Sequence, residues 1–90
     1  MDRKKLRISG RVQGVGFRYY TQNTAQKMGV TGWVRNASDG TVEAEAQADK
    51  ETLERFIGKV RKGPPASSVD KIDASKSSVH KGESGFRISY

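Results

Sequence analysis

The chain has 90 residues, no cysteine and a formal net charge of +7. That length gives one domain with one modest core, and the composition excludes disulfides, thiolate catalysis and cysteine-ligated zinc. No apolar run approaches the roughly 18 residues of a membrane helix, and no hydrophobic run follows the charged start from Asp2 to Lys5, so neither a span nor a secretory signal is expected and a cytoplasmic setting is.

The first strand is expected over Lys5 to Val12, where Leu6, Ile8 and Val12 have strand parity and Arg7, Ser9 and Arg11 lie between them. Arg3, Lys4, Lys5, Arg7, Arg11 and Arg18 face only Asp2 among the first 18 residues, so this end of the chain attracts anions. Gly10, Gly14 and Gly16 then lead towards a helix predicted from Phe17 to Met28. Glycine admits positive φ and close approach to the main chain. A glycine-relaxed loop that runs into a helix start aims free N–H groups one way, which is an anion site. Arg18 falls in the first turn, where a cation opposes the helix dipole and costs stability unless an anion lies nearby. The stretch reads as a cradle for a phosphate-like group with Arg18 as its planar fork. A plain tight connection beside a solvated arginine fits the same residues. The ATP P-loop pattern is absent, and Tyr19 follows Phe17 and Arg18 where the dinucleotide fingerprint would need a third glycine.

In the first helix Phe17, Tyr20, Thr24 and Met28 make one stripe, with Thr21 and Ala25 beside it and Gly29 as a left-handed stop. Val30 to Ala37 reads as the second strand, with Val30, Gly32, Val34 and Asn36 on one face and Thr31, Trp33 and Arg35 on the other. Ser38-Asp39-Gly40 turns the chain. Thr41 to Ala48 is the third strand, with Val42, Ala44, Ala46 and Ala48 inward and Glu43, Glu45 and Gln47 expected on a wet face. Nothing in the sequence marks those glutamates as a buried or partnered acid–base pair.

Asp49 is the expected N-cap of the second helix, whose buried stripe is Leu53, Phe56, Ile57 and Val60 and whose stop is Gly63-Pro64-Pro65. Val69 to Lys76 reads as a fourth strand, with Ile72 and Ala74 opposite Lys71 and Asp73. Ser77 to Gly85 is expected to be an exposed loop, and Phe86 to Tyr90 a short closing strand. His80, the sole histidine, stands in that polar loop without partners for a metal site. The order β-α-β-β-α-β with one added strand calls for an α+β ferredoxin-like sandwich, two helices on one face of a mostly antiparallel sheet of four to five strands, in a single domain over residues 1–90.

Gly10-Arg11-Val12-Gln13-Gly14-Val15-Gly16-Phe17-Arg18 and Gly32-Trp33-Val34-Arg35-Asn36, with Gly40 and Val42 beyond, resemble the two signatures of the acylphosphatase family. The similarity runs through the whole chain, including Gly63-Pro64-Pro65 and the Phe86-Arg87-Ile88-Ser89-Tyr90 end. Ala48 departs from it, standing where the family usually has glycine, away from the expected site. The resemblance implies hydrolysis of the carboxyl–phosphate anhydride of acyl phosphates, the ferredoxin-like fold, and no metal or organic cofactor. It implies Arg18 and Asn36 as the catalytic pair, and the amides of Gln13, Gly14, Val15, Gly16, Phe17 and Arg18 as the phosphate cradle. Inorganic phosphate or sulfate is the expected competing anion, and a monomer without membrane or nucleic-acid partner the expected form.

The residue chemistry suits that reaction. An acyl phosphate already has a good leaving group, so the task is to hold the phosphoryl group, spread its charge and aim a water in line. Arg18 can grip two oxygens, loop amides can hold others, and the Asn36 amide can both accept from and donate to a water. Without the resemblance, Asn36 reads as a turn-shaping residue before Ala37-Ser38-Asp39-Gly40. Arg35 is expected to be solvated, and Trp33 to be packing, a partial cover or a partner contact. The Tyr90 carboxylate would approach the cradle if the last strand ended beside the first. A non-catalytic module of the same fold that binds RNA or another anionic partner is the alternative class, but single-strand RNA readers need exposed aromatics on central strands, and the first and third strands have none.

Overall fold

A computed structural model describes residues 1–90. Its elements run β1 (Asp2–Arg11), α1 (Phe17–Met28), β2 (Thr31–Asn36), β3 (Val42–Ala48), α2 (Lys50–Lys62), β4 (Ser68–Ser77) and β5 (Phe86–Ile88). The five strands form one sheet in the order β4-β1-β3-β2-β5. Every pairing is antiparallel except β2 with β5, which is parallel. This is the ferredoxin-like arrangement the element order called for, with β1 and β3 central. No helix is long and apolar enough to cross a membrane.

Strand parity explains the layers. The register sets Leu6 and Val34 on either side of Ala44, and Ile8 and Asn36 on either side of Val42. These residues share the face that carries both helices. Phe17, Ala25, Leu53, Phe56 and Val60 from the helices complete a single cluster of 15 buried hydrophobic residues. Alanines at 44, 46 and 48 keep the middle of the sheet low, which leaves room for the Phe56 and Phe86 rings, 6.0 Å apart between centroids.

Three features differ from the sequence expectation. The buried line of α1 is Phe17, Thr21 and Ala25, whereas Tyr20, Thr24 and Met28 flank it half-buried. Thr21 can turn inward because its hydroxyl donates to the Phe17 carbonyl at 2.9 Å, which leaves no polar atom unpaired. The second difference is β3, whose outer face is not wet: Glu43 and Gln47 are buried. Since β3 is flanked on both sides, the register places Glu43 between Arg7 and Arg35, and it accepts from Arg7 at 2.9 Å and from Arg35 at 2.9 and 3.0 Å. Arg35 is correspondingly paired rather than merely solvated, with its guanidinium 5.4 Å from the Trp33 ring centroid. Third, the polar loop before β5 is not wholly loose. Its Glu83 reaches back to the buried Arg3, which also donates to Glu45 and Gln47.

Candidate active site

The loop between β1 and α1 is pinned at both ends by apolar side chains. Val12 and Phe17 are each 1% exposed, and the chain between them crosses the surface. Gly16 takes a left-handed backbone (φ 78°) as the residue before α1, a conformation a β-carbon would strain. A β-carbon at Gly14 or Gly16 would meet no atom within 4 Å, so the outer side of the bend is open.

That bend leaves its donors unspent. The first backbone bond of the helix runs from Tyr20 N to Gly16 O at 3.1 Å, and no amide from Gln13 to Arg18 donates to a carbonyl. The start of α1 has neither a side-chain cap nor an acidic residue in its first turn. α2 in the same chain is treated in the opposite way. Asp49 accepts from Thr52 N at 2.9 Å and Glu51 sits in its first turn. Two capping bonds hold the Asp49 carboxyl below its ordinary range. The positive end of α1 is therefore the uncompensated one, and it also bears Arg18.

Asn36 ends β2 on the helix-bearing face, in line with Val34. It lines a cavity of about 380 Å³ together with Arg7, Arg35, Asp39, Glu43 and Tyr90. Arg18 does not line that cavity, but its guanidinium lies 5.4 Å from the Tyr90 ring centroid, so Tyr90 touches both parts. The sequence expectation for the C-terminus needs correction here. β5 ends beside β2 rather than β1, and Ser89 N donates to Val34 O at 2.8 Å, which extends the pairing towards Asn36. It is the ring of Tyr90, arriving from the β2 side, that meets Arg18. A second tie has no local signal in the sequence. The Gln13 side-chain nitrogen donates to Ala37 O at 2.8 Å and Thr41 O at 2.9 Å, joining the glycine bend to the turn that follows Asn36.

Comparison with known proteins bears on this geometry. A family model described as acylphosphatase matches residues 4–88. The chain belongs to the acylphosphatase family. It is 48% identical over 86 residues to an acylphosphatase of Thermococcus kodakarensis, which covers 96% of this chain and 93% of that one. The crystal structure of acylphosphatase from Bacillus subtilis superposes with a TM-score of 0.95 at 40% identity, covering all of both chains. The chain is also similar to 12% of full-length HypF, in a crystal structure of its phosphate- and nucleotide-bound form, with a TM-score of 0.88 and 34% identity over 99% of this chain. Family and fold together make this a hydrolase with the ferredoxin-like architecture of the acylphosphatases.

Proposed function

We propose that this enzyme hydrolyses acyl phosphates by gripping the phosphoryl group between the amides of Gln13 to Arg18 and the Arg18 guanidinium while Asn36 directs the attacking water. The observation that carries the reading is the run of undonated amides at an uncapped helix start that also bears an arginine. Such a site holds a dianion through fixed dipoles and one bidentate fork, with no reorganisation during the reaction. Water oxygen bonds to phosphorus as the bond to the acyl oxygen breaks. The carboxylate departs with that electron pair, and the water proton passes to a phosphate oxygen. The carboxylate needs no general acid, so a site built from amides, one arginine and one asparagine is chemically sufficient.

The test is hydrolysis of benzoyl phosphate in EDTA with inorganic phosphate as competitor. Wild-type turnover with competitive inhibition is expected. Arg18→Ala should lower kcat/KM by about 10³-fold or more, and Arg18→Lys should recover little of it, because an ammonium is not a planar fork. Asn36→Ala should lower kcat by about 10²-fold while the inhibition constant of phosphate changes little. Wild-type rates in both Arg18→Ala and Asn36→Ala would overturn the assignment.

A further inference from the structure

Gln13 sits in the cradle segment, yet its side chain turns away from the bend. Its one nitrogen serves two carbonyls, those of Ala37 and Thr41, which stand at the two ends of the β2–β3 turn. That turn has its own fastenings. Ala37 N donates to Thr41 O at 2.9 Å, and the Asp39 carboxylate accepts from Thr41 N at 3.0 Å, Thr41 Oγ1 at 2.6 Å and Arg7 at 2.8 Å. The turn thus closes without Gln13. What Gln13 adds is a rigid distance between two segments 24 residues apart, one carrying the amides and Arg18, the other carrying Asn36.

We propose that the Gln13 side chain is a positioning residue that sets Asn36 relative to the phosphate cradle. The inference rests on the reading of Asn36 as the water-directing group. Only a neutral amide suits the task. It has two donor hydrogens on one atom, one for each carbonyl, and adds no charge beside a bound phosphate. A carboxylate would face two carbonyl oxygens with nothing to donate, and asparagine would fall short by about one C–C bond length. In-line attack tolerates little misplacement, and a shift of about 1 Å can cost about 10²-fold in rate. A tether that fixes the water-directing group against the phosphorus should therefore be seen in kcat rather than in anion affinity.

The experiment compares Gln13→Met, Gln13→Glu, Asn36→Ala and the Gln13→Met/Asn36→Ala double variant. The readouts are kcat and KM for benzoyl phosphate, the inhibition constant of inorganic phosphate, and thermal unfolding. Gln13→Met should lower kcat by about tenfold with the phosphate constant unchanged within about twofold, and should cost less than about twofold more once Asn36 is alanine. Gln13→Glu should regain activity relative to wild type as pH falls through its carboxyl titration, because the neutral acid again has a hydrogen to donate. A fully additive double variant overturns the proposal, as does a folded Gln13→Met with wild-type kcat or one in which phosphate affinity falls as far as kcat. Should Gln13→Met fail to fold, the pH ratio of Gln13→Glu decides alone, and a flat ratio overturns the tether. Wild-type turnover in Asn36→Ala, by contrast, removes the underlying reading itself.

Discussion

Arg18 is placed where a cation is intrinsically unfavourable, in the first turn of a helix with no acidic neighbour to offset it. Its contact with the Tyr90 ring returns little, since Tyr90 is 90% exposed. The dipole penalty is about 0.3–1 kcal/mol and an exposed cation–π contact about 0.5–1 kcal/mol, so the two nearly cancel. Arg18→Ala should therefore leave the thermal midpoint within a few degrees of wild type while abolishing the response to phosphate. At about a hundredfold its dissociation constant, phosphate should raise the wild-type midpoint by about 10–20 °C for a chain of this size. Calorimetry with and without phosphate checks both halves. A midpoint that rises equally in Arg18→Ala would mean that the anion binds elsewhere.

At the scale of elements, β3 is the strand whose partners matter most. Its inner face was legible as Val42, Ala44, Ala46 and Ala48, and those residues are buried. Its outer face is not legible in the sequence, because the buried Glu43 and Gln47 carry the polarity of a solvated face and alternation cannot reveal what flanks a strand. The register supplies the answer, arginines on both sides of Glu43. The loop before α1 was legible for the opposite reason. Glycine spacing, the start of the helical period and Arg18 all lie within one continuous stretch, so no long-range pairing had to be known. The Gln13 and Tyr90 contacts join distant segments and left no local signal. A close approach of backbone to backbone explains one more residue. Gly32 has φ 144° within β2, and a β-carbon there would run into the Glu45 carbonyl of β3. Gly32→Ala should cost about 3 kcal/mol or prevent folding. The urea midpoint measures it, and a loss below about 1 kcal/mol would mean that the strands can separate locally without penalty.

Across the whole molecule, one buried guanidinium draws the two ends of the chain together. Arg3 on β1 donates to Glu45 at 2.7 Å, to Gln47 at 3.1 Å and to Glu83 at 2.7 Å, while Gln47 exchanges hydrogen bonds with the His80 backbone. The segment before β5 is thereby held to the sheet face opposite the helices, in the one region where polar composition predicted only a loop. Burial pushes the Glu83 carboxyl up, but the hydrogen bonds from Arg3 and Thr31 and the Arg3 charge together outweigh it and leave the group below its ordinary value. A carboxyl depressed in the folded state contributes stability above its unfolded value of 4.5, and that contribution is lost as pH falls through the lower folded value. Arg3→Met removes the larger part of that depression. Two largely buried carboxylates then lack their partner, which should cost about 3 kcal/mol at pH 7. With the guanidinium gone, burial of Glu83 is opposed only by the Thr31 hydrogen bond and by nearby His80 and Arg87, so its folded value rises relative to that of wild type and protonation costs the variant less. The deficit of Arg3→Met relative to wild type should therefore shrink as pH falls through the carboxyl range, as read from urea midpoints at each pH. A deficit that stays constant over that range would show that Arg3 contributes through the packing of its alkyl chain rather than through its charge.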